Sequence, residues 1–290
     1  MSAALGLALA SSLCFGVALI TSRIGLRSLD ARCGAAISIP TATLLLAGAA
    51  PFGLDLAGFT LQAALCFAAV GVFFPALVTL LTFRSNEQLG PTITSAVSGS
   101  APLFALLAAG VLLGEAIAPQ AALACGAIVA GVALLTWKQG DVRPGFTGWA
   151  LLWPIAGAVV RGLAQAGAKA GLALWPNPLA ASLIGYTVSS AIVIGTNALA
   201  RPEPPRYTKR GFLWFALTGA LNGGAVLLMY GALGIAPVSS VAPVVATYPL
   251  VTVLLSAVLL REEALTLRML TGAATMVLGV VYLTLSNTGA

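Results

Sequence analysis

Arg161 sits near the centre of the apolar stretch 148–170. A guanidinium at that depth costs at least ~2.5 kcal/mol to bury in a bilayer, so it must face protein or water rather than lipid. Its chemistry is a fixed positive charge with a planar fork of donors, the partner of a carboxylate. Gln165 and Lys169 follow at helical i+4 steps, and Trp153 and Gly157 precede at similar helical steps, so this stretch carries one polar and aromatic stripe. Two readings stand. In the first, Arg161 and Gln165 attract the carboxylate of an organic anion from a central cavity. In the second, Arg161 is structural and bonds helix carbonyls or a polar neighbour.

Softer candidates lie in other apolar stretches. Phe15 aligns with Arg161 at an offset of 146 residues, with Ser11 and Ser12 one turn away. Thr92, Thr94, Ser95, Ser98 and Ser100 precede Pro102, and Ser239, Ser240, Pro243, Thr247 and Tyr248 precede Pro249. A proline within a membrane helix frees a backbone carbonyl that hydroxyls or water can satisfy. Pro102, Pro243 and Pro249 are therefore read as kinks or gates, as is Pro75 after Phe73-Phe74. Asn222 and Tyr230 offer further hydrogen bonds toward a ligand, and Ser98 and Tyr248 join them. Small and hydroxyl residues also serve close helix packing, which is the alternative for each.

The elements that position these residues are membrane helices. The chain is 59% hydrophobic and 8% charged with no histidine, against roughly 25% charged in soluble domains. Spans of about 20 apolar residues cross a bilayer. Ten are placed, at 3–22, 34–50, 60–83, 90–112, 118–137, 148–170, 178–199, 211–233, 237–260 and 267–286. The first is read as a retained span, not a signal peptide. The fold class is an all-α polytopic membrane protein.

The halves repeat. Pro102 and Glu115 recur as Pro249 and Glu262, each pair thirteen residues apart. Gly16, Arg23, Gly25 and Pro91 match Gly162, Lys169, Gly171 and Pro237 at an offset of 146. Residues 1–140 and 141–290 are two five-helix units, and an odd count of spans inverts the second relative to the first. Twelve basic residues fall in loops after the odd-numbered spans, which places those loops in the cytoplasm and both termini outside.

All eight acidic residues lie at span ends or in loops, so a carboxylate-based exchange of protons for cations has no residue to run on. Glu115 and Glu262 are read as architectural, helix-end acids paired with a cation or a helix N-terminus. Cys14, Cys33, Cys66 and Cys125 form no C-x-x-C pair and are read as packing residues. No metal site, cofactor or nucleotide motif is expected, nor an enzyme, since no nucleophile and base set stands out. The net charge of +6 is scattered over short loops, so nucleic acid is not expected as a partner. The partners expected are a small-molecule substrate and the bilayer, for a chain that can act as a monomer.

A two-unit, ten-span chain in which a proline leads by thirteen residues to a glutamate closing the fourth and ninth spans resembles the drug/metabolite transporter superfamily. Within it the chain resembles the EamA family, including bacterial amino-acid exporters of the YddG type. Gly114-Glu115 is the family's usual pair, while the second copy has Arg261-Glu262-Glu263, and Gly272 is replaced by Ala124 in the first copy. The resemblance implies an inner-membrane exporter of amino acids that works by alternating access. Efflux of aromatic or cationic drugs is the alternative within transport, and a channel or a non-transporting scaffold the alternative outside it.

Overall fold

The structure, a computed structural model, describes residues 2–136, 148–200, 208–260 and 267–288. Among these residues every regular element is helical. Helices α1 (Ser2–Gly25), α2 (Ala31–Gly53), α3 (Leu61–Phe73), α4 (Ala76–Ser98), α5 (Ala101–Ala108) and α6 (Pro119–Thr136) are followed by α7 (Leu152–Leu174), α8 (Pro178–Ala200), α9 (Lys209–Ile235), α10 (Val238–Val245), α11 (Tyr248–Leu255) and α12 (Leu267–Thr288). Seven helical runs among the described residues are long and apolar enough to cross a membrane. A helix satisfies its backbone polar groups internally, which is what lipid requires of such sequences.

Side-chain caps fix where several helices begin. Asp30 accepts from the N–H of Cys33 at 2.7 Å, Thr60 from Ala63 at 3.2 Å, Asn177 from Ala180 at 2.9 Å and Thr208 from Gly211 at 3.2 Å. Prolines and glycines fix where they break. The third span expected at 60–83 is interrupted at Phe74-Pro75, where α3 ends and α4 begins. Residues 84–89, expected as a loop, are instead helical, and the chain turns at one residue, Gly90, with φ 82. That positive φ suits glycine, and Pro91 behind it supplies no N–H, so a single step replaces a loop.

The doubled signature is a doubled break. The chain leaves the helix at Gly99-Ser100 and restarts as α5 with Pro102 in its first turn. It leaves again at Ala246-Thr247 and restarts as α11 with Pro249 in its first turn. Each restarted helix has eight residues and runs into five residues of π-helix, Ala109–Leu113 and Ser256–Leu260. Pro102, Pro249 and Pro75 therefore stand at helix junctions, and Pro243 lies inside α10.

Packing repeats in the same way. A methyl group on Gly16 would meet Val251 at 2.5 Å and the Tyr248 carbonyl at 3.0 Å. A methyl group on Gly162 would meet Phe104 at 2.7 Å and the Ala101 carbonyl at 2.9 Å. Val251 and Tyr248 are the counterparts of Phe104 and Ala101, so α1 lies on α11 as α7 lies on α5. Helices α6 and α12 pair likewise, Gly131 against the Gly272 carbonyl and Gly279 against that of Ala124. Such small-residue contacts let backbones approach where lipid supplies no hydrophobic drive between helices. Hydroxyls reinforce them: Ser11 donates to the Ala225 carbonyl at 2.7 Å, and Thr21 and Thr218 share a bond of 2.8 Å.

Candidate functional site

Arg161 lies on the face of α7 turned toward the middle of the molecule and is 8% exposed. Its guanidinium carbon is 5.1 Å from the centroid of the Phe15 ring on α1 and 5.6 Å from that of Tyr248 on α11. The two rings are 6.2 Å apart and tilted by 58°. A cation over ring faces in a dry setting is held by about 2 kcal/mol, short of cancelling the cost of burying it. The Nε of Arg161 is buried without a hydrogen-bond partner, and among the described residues no carboxylate lines the space around it. The charge is thus steadied by aromatic faces and left uncompensated.

Two adjoining cavities flank the guanidinium, each with a volume of about 30 Å³. Phe15, Thr82, Phe83, Arg161 and Asn222 line both. The first continues along α1 to Leu19 and Ser22, and the second ends on Pro75 and Tyr186. Each has room for about one or two waters, so a solute the size of an amino acid enters only when the surrounding helices part.

The sequence candidates fall into three groups. Arg161, Phe15, Tyr248, Asn222 and Pro75 are brought together here. Gln165, Ser98 and Tyr230 are buried but line neither cavity; the Oε1 of Gln165 has no hydrogen-bond partner, and the Ser98 hydroxyl lies beside that of Tyr248. Glu115 is elsewhere: its Oε1 accepts from the N–H of Val238 at 3.2 Å, at the start of α10. Glu262 lies outside the described residues. Tyr186, Thr82 and Phe83 were not foreseen. Tyr186 carries no proline or charge nearby, and Thr82 and Phe83 precede Arg84 where a span was expected to end; an aromatic hydroxyl amid small residues was the one available signal. Among the described residues no cluster of histidine, cysteine, aspartate or glutamate could hold a metal.

Residues 2–137 and 148–285 each match the EamA-like transporter family. The chain belongs to that family. No curated protein matches it in sequence. A crystal structure of a protein 16% identical superposes with a TM-score of 0.79, covering 98% of this chain and 97% of the other, and shows that the fold is shared. Membership of the EamA-like family makes the chain a multi-pass membrane protein of a transporter family. The space around Arg161 is lined by residues of both matched segments, Phe15, Thr82 and Phe83 from the first and Arg161 and Asn222 from the second.

Proposed function

We propose that the chain is a secondary transporter, resembling YddG-type exporters, that carries amino acids or related carboxylate-bearing metabolites across the inner membrane by alternating access. The observation that carries this reading is the buried, uncompensated Arg161 over Phe15 and Tyr248. A carboxylate would neutralise it and gain charge-assisted hydrogen bonds. A cationic drug is disfavoured, because the ring faces that would receive it are already covered by the guanidinium.

The reading takes the chain as ten spans in two inverted units, 1–140 and 141–290. The run Leu61–Leu113 has 53 residues, and unbroken it would extend about 80 Å against a hydrocarbon core of about 30 Å. The reading takes its turn at Gly90-Pro91 as the point between two passes. Inversion is supported by α2. The C-terminal end of α1 connects through residues 26–30 to the first residue of α2. The C-terminal end of α7 is bonded to the other end of α2, where Trp175 and Asn177 donate to the carbonyls of Asp55 and Gly53 at 3.1 and 3.3 Å. These contacts support opposite directions for α1 and α7, which are equivalent by sequence. The reading puts both termini outside, on the strength of the positively charged loops.

The test is counterflow in proteoliposomes loaded with unlabelled solute, with labelled amino acids set against a cationic dye. Saturable amino-acid counterflow that Arg161→Gln abolishes supports the reading. Exchange of the dye alone, or flux that does not saturate, overturns it in favour of drug efflux or a channel.

A further inference from the structure

Each half contains, at matching positions, a backbone carbonyl that a proline leaves without its helical donor. In an α-helix the N–H of residue i bonds the carbonyl of residue i−4, and proline has no N–H to give. Pro91 leaves Glu87 without that donor, and Pro237 leaves Leu233 without it. Both vacancies are filled by a basic side chain. Arg23, at the end of α1, donates to the carbonyls of Asn86 and Glu87 at 2.9 and 3.4 Å. Lys169, near the end of α7, donates to those of Leu233 and Ala236 at 2.7 and 3.0 Å. Arg23 and Lys169 are 146 residues apart, as are Glu87 and Leu233, and Pro91 and Pro237.

The two bonds stand at opposite ends of the molecule. Each basic residue is eight positions beyond the Phe15–Arg161 contact on its own helix, about 12 Å of rise, and those helices are antiparallel. The Arg23 bond adjoins the central space directly. Ser22, beside Arg23, lines the first cavity and accepts from the Nδ2 of Asn86 at 2.8 Å. At the other end the Glu115 carboxylate caps α10 one residue beyond Pro237. Between the two bonds lie the two small cavities.

We infer that Arg23 and Lys169 are the two latches of the transport cycle: the central site opens to one side only when the basic residue on that side releases its proline-freed carbonyl. The inference rests on the transporter reading. The latches differ in strength. Arginine offers a rigid fork and a permanent charge, lysine a compact ammonium that water hydrates well, so the Lys169 end releases first.

The test uses the full chain with its four cysteines replaced and one reporter, Ala18→Cys, in the wall of the first cavity. A membrane-impermeant thiol reagent is applied from one side of oriented vesicles at a time, with no solute present. Lys169→Gln raises labelling from the Lys169 side by roughly an order of magnitude, the loss of a charge-assisted bond, and lowers it from the Arg23 side. Arg23→Gln does the reverse. If either variant fails to fold, the milder exchanges decide: Lys169→Arg lowers labelling from its side, and Arg23→Lys raises it from its own. Labelling that stays unchanged, or moves alike from both sides, overturns the latches. Counterflow on the same proteins separates the two claims: flux with immobile labelling removes the latches and keeps the transporter, and opposed labelling without saturable flux does the opposite.

Discussion

Arg161 and Phe15 hold the same place in the two halves of the chain, 146 residues apart, and they touch, the guanidinium carbon 5.1 Å from the ring centroid. Under the proposed inversion, two equivalent positions meet near the axis that would relate the units. At such a point one residue type facing itself would pair like with like, two rings or two charges. The exchange of one for the other gives a charge seated on a ring, with a polarity the repeat alone lacks.

The charge is costly where it sits, at least ~2.5 kcal/mol by insertion scales, and its Nε has no partner. Arg161→Met keeps an unbranched, flexible side chain, shorter than arginine, and removes that cost. Its thermal midpoint in detergent is expected to rise by several degrees while counterflow of amino acids is lost. A fall in midpoint with transport retained would mean that the arginine is structural after all.

Gly162 and Gly16 set the approach of α7 to α5 and of α1 to α11. A Cβ at Gly162 would stand 2.7 Å from the backbone nitrogen of Ala105, which no rotamer change can relieve. Gly162→Ala is expected to cost about 1–3 kcal/mol, and Gly16→Ala a similar or smaller amount, since part of its contact is the Val251 side chain. Gly126 has nothing within 4 Å, so Gly126→Ala is expected to be neutral or stabilising by about 0.5–1 kcal/mol through helix preference alone. Thermal unfolding of the three in one detergent checks the order.

Much of this was open to a reader of the chain. The offset of 146 placed Phe15 against Arg161, and the proline-to-glutamate spacing located two helix restarts, because both are set by residues whose backbone chemistry is local. The cavity lining was less legible. Tyr186 reaches the site, and Tyr230, of the same type, does not line it, since that depends on the angle at which α8 and α9 cross their neighbours and not on either helix's own sequence. The expected loop at 84–89 failed for a different reason. Arg84 and Glu87 suggested a solvated connection, yet long side chains near a helix end carry their charge to the interface without the backbone leaving the helix, and Gly90 alone makes the turn.

Thr21 on α1 and Thr218 on α9 share a 2.8 Å hydroxyl bond, and both are buried. Polar pairs between membrane helices average about 0.6 kcal/mol in coupling. Each hydroxyl also reaches a carbonyl of its own helix, Ala18 and Trp214 respectively, which shields it when the partner is lost. The double cycle Thr21→Val with Thr218→Val is therefore expected to give a coupling of about 0.6 kcal/mol or less, read from reversible unfolding in mixed detergent. A coupling above about 2 kcal/mol would show that the cross-helix bond outweighs the local ones.

Phe15 and Tyr248 both lie under the guanidinium, at 5.1 and 5.6 Å, but a substitution can remove the ring or only its hydroxyl. The attraction comes from the ring face and is about 0.5–2 kcal/mol. Tyr248→Phe keeps the face and is expected to leave the KM for an amino acid within about twofold, a free-energy change under ~0.5 kcal/mol. Phe15→Ala removes a face, releases the guanidinium to wander within the enlarged cavity, and is expected to raise KM by roughly 2- to 30-fold with a smaller change in kcat. Phe15→Tyr, which restores a ring at the same position, should recover most of that loss. If Tyr248→Phe proves as damaging as Phe15→Ala, the tyrosine hydroxyl itself meets the solute, and the ring is not what holds Arg161 in place.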